Sequence, residues 1–347
     1  MNHQLIVGQK AATAGAAVAH MGMVQAQDYL AALWAVGLRM EQASEETIET
    51  ALAERRIVRT WPARGTLHFV AAEDVYWMLG LLTERPVNGR QGRFRQLELD
   101  EAVFKKSRAV LRRALAGGQR LQRADLFKLL EAERISTRGQ RGIHILWKLA
   151  QEGLLCFGPR QGKQPTFVLL EEWIPQGGGK TRQAGLAELA QRYFNSHGPA
   201  TLEDFSWWSG LTKNEARLAL ELGGGRLAVE TWQGVKRWVA AGPDRPAGSG
   251  RSAQLLPAFD EYLVGYQDRD AVLDPRRVWQ INAGGGLLSP VIVIDGQVCG
   301  TWKRSLKKDK VIVQPNWFGP AGAGASDAFE AAAGRYARFL KRDLVFE

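Results

Sequence analysis

The spacing of hydrophobic and polar residues is most regular between Gly185 and Ala241. Leu186 to Ser196 follows a helical period and stops at His197-Gly198-Pro199, a glycine and proline pair that ends helices. Thr201 and Asp204 have capping-box spacing, in which each side chain satisfies the other's backbone N–H. They predict a short helix carrying Phe205, Trp207 and Trp208. Gly210-Leu211 breaks the chain, and Thr212 with Glu215 predicts a second capped helix bearing Ala216, Leu218, Ala219 and Leu222. Two runs of β character, Arg226 to Trp232 and Val235 to Ala240, then flank the turn pair Gln233-Gly234. Helices joined by a tight turn and followed by a hairpin form the plan of a winged helix.

The same order occurs twice upstream. Gln25 to Leu38 is helical by pattern, Ser44 caps a helix through Arg56, and Ile57 to Trp61 pairs with Thr66 to Val70 around the tip Pro62-Ala63-Arg64-Gly65. In the middle, Leu121 to Glu133 reads as one helix, and Thr137 to Gln140 caps another carrying Ile143, Leu146, Trp147 and Leu149. A hairpin of Gly153 to Phe157 with Thr166 to Leu170 follows, its tip at Pro159 to Pro165. After the Pro/Gly/Ser-rich stretch Pro243 to Ser252 the pattern turns to β. Pro290 to Ile294 and Gln297 to Trp302 flank Asp295-Gly296, a strong hairpin signal. Lys310 to Gln314 adds a strand, and Asp327 to Leu340 is a closing helix with Phe329, Tyr336 and Phe339 on its apolar side. The expected fold is α+β. Three tandem winged-helix units at 1–80, 81–172 and 183–241 precede a β-barrel-like domain at 253–347. Trp34, Trp77, Trp147, Trp207 and Trp208 fall on apolar faces and are expected in the core.

Composition narrows the class. In 347 residues, 45% hydrophobic and 24% charged, the balance is globular and excludes disorder. Two cysteines, Cys156 and Cys299, lie far apart in apolar runs and exclude a disulfide scaffold. No run is long and apolar enough to span a membrane. Ala11 to Ala19 lacks the bulk of a secretory core, so a cytoplasmic protein is expected, nucleoid-associated if its partner is DNA.

The net charge is +10. Arg85 to Arg123 holds eleven basic residues against three acids, and Lys303 to Lys310 forms a second cluster. With winged helices this placement favours double-stranded DNA as the partner, bound with strong salt dependence. Candidate contacts are Arg59, Trp61 and Arg64 near the first wing, Arg93 and Arg95 in the basic segment, and Lys236 and Arg237 in the third wing. Ordinary exposed hairpin charge, and core packing for Trp61, are the plainer alternatives.

Familiar chemistry is mostly excluded. Gly177 to Thr181 resembles the end of a phosphate-binding loop, but Ile174 stands where that loop needs glycine. His3, His20, His68, His144 and His197 have no metal-ligand spacing, so no cofactor or metal is expected. Asp260-Glu261 could hold a base or be structural, and position gives no preference. Gln25 and Gln27 share a face only if their segment is extended rather than helical.

Four segments in order carry a resemblance: Val24-Gln25-Ala26-Gln27-Asp28-Tyr29; Thr60-Trp61-Pro62-Ala63-Arg64-Gly65-Thr66-Leu67-His68; His197 to Thr201 with Phe205 to Leu211; and Leu256-Pro257-Ala258-Phe259-Asp260-Glu261-Tyr262-Leu263. Together they closely resemble the winged-helix DNA glycosylases of the AlkZ/YcaQ type over essentially the whole chain. The resemblance implies three winged helices in a C shape around a positive DNA channel, with a β-barrel appended. It implies a monofunctional N-glycosylase acting on N7-alkylated purines in duplex DNA, including interstrand crosslinks, with no obligate protein partner. The family divides by its motif, Gln-aliphatic-Gln or Gln-aliphatic-Asp. Gln25-Ala26-Gln27 is similar to the AlkZ-like branch, which makes Gln25 and Gln27 the implied catalytic residues. Two rival readings are a non-catalytic DNA-binding protein or regulator, and a metal nuclease using Asp260 or Glu261.

Overall fold

The computed structural model describes residues 1–177, 179–232, 234–241, 252–284 and 286–346. The chain begins with α1 (Ala14–Met21), the short strand β1 (Val24–Gln25), α2 (Tyr29–Gly37) and α3 (Glu45–Ala53), followed by the hairpin β2 (Ile57–Ala63) and β3 (Thr66–Ala71). The helix expected from Gln25 starts only at Tyr29. The Asp28 carboxylate accepts the Ala31 N–H at 3.1 Å and sets that start, while Val24 and Gln25 pair with Phe69 and His68 on β3. Ser44 caps α3 as its spacing indicates.

Next come α4 (Val75–Leu82), α5 (Glu84–Asn88), α6 (Gln91–Gln96), α7 (Glu101–Leu115), β4 (Leu121–Gln122), α8 (Arg123–Ala132), α9 (Arg141–Gln151), β5 (Leu155–Gln161) and β6 (Gln164–Leu169). Leu121 and Gln122 leave the expected helix to pair with Phe167 and Thr166. Thr137 does not cap α9, because its N–H and hydroxyl both bond Glu131; left-handed Gln140 takes the cap position. The first two hairpins do not stand free as wings. Arg59 on β2 pairs with Phe157 on β5, and the sheet runs β1-β3-β2-β5-β6-β4.

The third segment holds α10 (Leu170–Trp173), α11 (Arg182–His197), α12 (Leu202–Ser209), α13 (Lys213–Gly223), β7 (Leu227–Trp232) and β8 (Val235–Ala240). Both capping boxes form. Thr201 and Asp204 exchange bonds of 3.1 and 3.0 Å, and Thr212 and Glu215 exchange bonds of 3.2 and 2.9 Å. β7 and β8 make a separate two-stranded ribbon. Gln233 at its tip and most of the Pro243 to Ser252 stretch lie outside the described residues.

The C-terminal part contains β9 (Ala253–Leu256), α14 (Glu261–Val264), α15 (Val278–Ile281), β10 (Asn282–Gly284), β11 (Leu287–Leu288), β12 (Val291–Ile294), β13 (Gln297–Leu306), β14 (Lys310–Trp317), α16 (Ala325–Phe339) and β15 (Asp343–Val345). Its main sheet is ordered β15-β14-β13-β12-β9, with β9 and β15 at opposite edges. The expected barrel is therefore an open half-barrel. α16 packs against it with Phe329, Tyr336 and Phe339 buried, which covers the face that closure would otherwise hide.

This half-barrel shares its core with the N-terminal helices. The Trp34 ring packs 5.1 and 5.0 Å from Tyr336 and Phe339, and its indole N–H donates to Leu255 O at 2.7 Å. Arg39 and Asp260, both fully buried, form a two-pronged ion pair with both bonds at 2.9 Å. Removing one member strands the other charge in apolar surroundings. Arg39→Ala or Asp260→Ala is expected to cost about 3–5 kcal/mol in urea unfolding.

Candidate active site and nucleic-acid interface

Burial alternates through the Gln-Ala-Gln segment. Val24 and Ala26 are buried, Gln25 is half-buried and Gln27 is exposed. An extended backbone does this, because successive side chains point to opposite faces. The two carboxamides are therefore presented together, which a helix would not allow. Ala26 N–H donates to Leu67 O at 2.7 Å, and Leu67 N–H donates to Gln27 Oε1 at 3.3 Å. The β3 backbone thus holds both the peptide and the second carboxamide.

Arg59, expected as a wing contact, is instead buried behind the motif. Its Nε and Nη2 donate to Ala26 O at 3.1 and 2.8 Å, and its guanidinium lies between the Tyr29 and Phe157 rings. Burial lowers its pKa to about 10. The reason is the sheet: β5 pairs beside β2 and sets Phe157 directly opposite Arg59, so its ring, with that of Tyr29, covers the guanidinium. Trp61 is half-buried and packs 5.1 Å from Phe157, the core role that was its plainer alternative. Arg64 also turns inward, its Nη2 lying 3.1 Å from His68 Nε2 and 3.4 Å from Gln25 Oε1.

Behind Gln25 sits Glu261, with no exposure. Its Oε1 accepts the Gln25 N–H at 2.8 Å, and its Oε2 accepts the Trp208 indole N–H at 3.0 Å and lies 3.7 Å from His197 Nε2. Burial works against its charge, but His197 and the Arg64 guanidinium hold the carboxyl below the usual carboxylate range. The acidic pair is thus committed internally: Asp260 to Arg39, Glu261 to the motif strand. The metal-nuclease reading fails on this point, since neither carboxylate faces an open site. Sequence position assigns Glu261 no role, and nothing in its local pattern reveals a contact spanning 236 residues.

The basic segment is spent differently from its appearance in sequence. Arg108, Arg112 and Arg113 pair with Glu152, Glu171 and Glu133, while Arg90 lies over the Trp147 ring. Arg93 and Arg95 are exposed on α6, with Arg93 bonded to Gln140 at 2.9 Å. Lys236 is exposed on the separate ribbon, and Arg237 folds over Trp232 at 5.1 Å. None of these four touches Gln25 or Gln27. Trp207, expected in the core, is 49% exposed beside the motif. Its carbonyl receives Arg64 Nη1 at 3.5 Å.

A groove of about 620 Å³ opens beside Tyr29 and Arg59, between the β5–β6 tip and the half-barrel. Arg160, Lys163, Arg304, Lys307, Lys308 and Arg342 line it, with Glu45 as the only acid among the lining residues. Lys307 and Lys308 belong to the second basic cluster seen in sequence.

The sequence profile of the family described as DNA glycosylase AlkZ-like matches residues 18–339, and the chain belongs to that family. An interstrand DNA cross-link repair glycosylase of Streptomyces sahachiroi is 27% identical over 334 residues, covering 91% of this chain and 88% of the relative. The solved structure of Streptomyces sahachiroi DNA glycosylase AlkZ superposes with a TM-score of 0.82 at 24% identity, covering all of this chain and 97% of that one.

Burial of His68 has a consequence for stability. Its pKa falls to about 3, first through desolvation and then through the Arg64 charge. The unfolded chain takes up that proton near pH 6.5, so it binds more protons than the folded chain between those values. Stability is therefore expected to fall as pH drops below about 6.5, by about 1.4 kcal/mol per pH unit for this residue. Urea unfolding between pH 7 and 4.5 checks this, and His68→Gln should flatten the dependence.

Proposed function

We infer that this protein is a monofunctional DNA glycosylase that hydrolyses the N-glycosidic bond of N7-alkylated purines in duplex DNA, with Gln25 and Gln27 as its catalytic residues. The observation that carries the reading is the pair of carboxamides on an open, extended segment, each oxygen backed by a protein donor. N7 alkylation makes the purine a good leaving group, so departure needs no strong acid and the deoxyribose becomes cationic at C1′. Two neutral carboxamides suit that state. Their oxygens can orient a water and face positive charge without the desolvation cost of a second buried carboxylate. Arg59, Arg64, Glu261 and Leu67 make the contacts to the motif, and no lysine is among them, which favours water over an amine nucleophile.

The scaffold reading is three winged-helix units at 1–80, 81–172 and 183–241 curved about the DNA, with 253–347 appended, working as a monomer on the nucleoid. Helix and hairpin order supports it. The basic groove beside Tyr29 and Arg59, close in sequence to the motif, is the candidate track for the phosphate backbone. Because the motif is open, a bulky lesion need not be flipped into a pocket to be reached, which fits crosslink unhooking.

The purified chain is expected to release N7-methylguanine from duplex DNA in EDTA, leaving abasic sites in an otherwise intact strand. Gln25→Ala and Gln27→Ala should each slow release by about 100-fold. DNA binding with no abasic sites would instead identify a non-catalytic binder. Reversing Lys163, Lys307 and Lys308 to Glu should lower the salt slope of binding, by about 0.9 for each phosphate no longer neutralised. An unchanged slope would remove the groove from the DNA track.

A further inference from the structure

The tip between β2 and β3 consists of Arg64 and Gly65, both with left-handed backbone at φ 53 and 73. That conformation is uncommon for a residue with a side chain. Here Arg64 does not project beyond the tip. Its guanidinium lies against His68 and Gln25, with Nη1 3.5 Å from Trp207 O. Gly210 makes room on the far side, since a Cβ there would come within 3.1 Å of Arg64 Cγ.

Hydrogen-bond roles are determined by the partners. His68 Nδ1 lies 3.0 Å from Thr66 O, and a carbonyl can only accept, so Nδ1 carries the ring proton. Nε2 is left with its lone pair, which accepts from Arg64 Nη2 at 3.1 Å. The same Nη2 faces Gln25 Oε1. One guanidinium nitrogen therefore bridges a neutral imidazole and the carboxamide assigned to catalysis. With Trp207 O, these partners engage three of the five guanidinium N–H groups and draw the side chain against the protein.

The geometry points to Arg64 as a positioning residue that orients the Gln25 carboxamide, rather than as a wing contact to the DNA backbone. This rests on the assignment of Gln25 as catalytic. Arg64 donates to Oε1 and so turns that oxygen towards the protein donor, which fixes the rotation of the amide and leaves the second lone pair of the oxygen available. His68 anchors the guanidinium without adding charge. Glu261, fully buried and bonded to the Gln25 N–H, supplies the counter-charge that lets a cation stand next to a reaction developing positive charge on the sugar. Lysine could not copy this arrangement, because a point charge on a flexible stem lacks the fixed fork of the guanidinium.

A double-mutant cycle in single-turnover release of N7-methylguanine from duplex DNA tests the inference. Arg64→Ala should slow release by about 10- to 100-fold, the range for a misplaced reacting group, with affinity for undamaged duplex and its salt slope unchanged. In a Gln25→Ala background the same substitution should cost almost nothing more. Arg64→Lys, checked for folding by circular dichroism, carries the same cycle if Arg64→Ala unfolds, and should recover only part of the rate. Multiplying losses in the double variant, or weaker binding with a salt slope lower by about 0.9, would overturn the positioning role. If Gln25→Ala itself released base at the wild-type rate, the assignment of Gln25 would fall and the inference with it; a slow Gln25→Ala with multiplying losses would overturn the inference alone.

Discussion

A single buried carboxylate joins the parts of this molecule that matter for its chemistry. Glu261 belongs to the C-terminal part, yet its two oxygens bind the Gln25 N–H of the N-terminal sheet and the Trp208 indole of the third helical segment. An ionised carboxylate without exposure is costly unless hydrogen-bonded, and here each oxygen accepts one bond. The constraint works both ways. The strand that carries Gln25 cannot shift in register without leaving a buried charge unpaired, and the half-barrel cannot rotate away from the helices for the same reason. The Arg39–Asp260 pair one residue earlier doubles the tether, so the motif is held from behind by charges that never reach solvent.

Once the backbone is held, the side chains on the open face can be neutral. Arg59 fastens the Ala26 carbonyl from one flank and Arg64 reaches Gln25 from the other. Both guanidiniums are drawn into the protein, so the positive charge available to a nucleic-acid partner comes from elsewhere. Three of the α7 cations are paired with Glu133, Glu152 and Glu171, and of the seven basic residues lining the groove by Tyr29, Arg59 is turned to the motif and Arg160 pairs with Glu49. Net charge counted along a sequence and charge offered to a partner are different quantities, as the pairing of Arg108, Arg112 and Arg113 shows.

The legible parts of the sequence are those governed by local grammar. Capping boxes at Thr201 and Thr212, the Asp295-Gly296 turn and the apolar side of α16 depend on neighbours within a few residues, and each forms as its pattern indicates. The failures share a cause in long-range pairing. Apolar periodicity extends upstream of Asp28 and places Gln25 in a helix, but β3 recruits Val24 and Gln25 as an edge strand. A wing is usually free, which predicts an exposed Arg59, but β5 pairs against it and buries the side chain. Trp207 looks like core on its helix, while neighbouring Trp208 takes the buried position against Glu261. Gln25 and Gln27 come from family resemblance; two neutral amides carry no local signature of catalysis. The role of Glu261 is invisible to any reading that stops at neighbours in sequence.

The central claim is that Gln25 and Gln27 favour a cationic sugar, and affinity for a mimic of that state measures it most directly. A duplex in which a positively charged pyrrolidine replaces the target deoxyribose should bind the native chain far more tightly than the unmodified duplex, because a catalyst is complementary to its transition state. The account predicts that this preference shrinks in the Gln25→Ala/Gln27→Ala double variant by about the factor lost in the rate of base release, with affinity for unmodified duplex unchanged. A preference that survives intact in the double variant would contradict it.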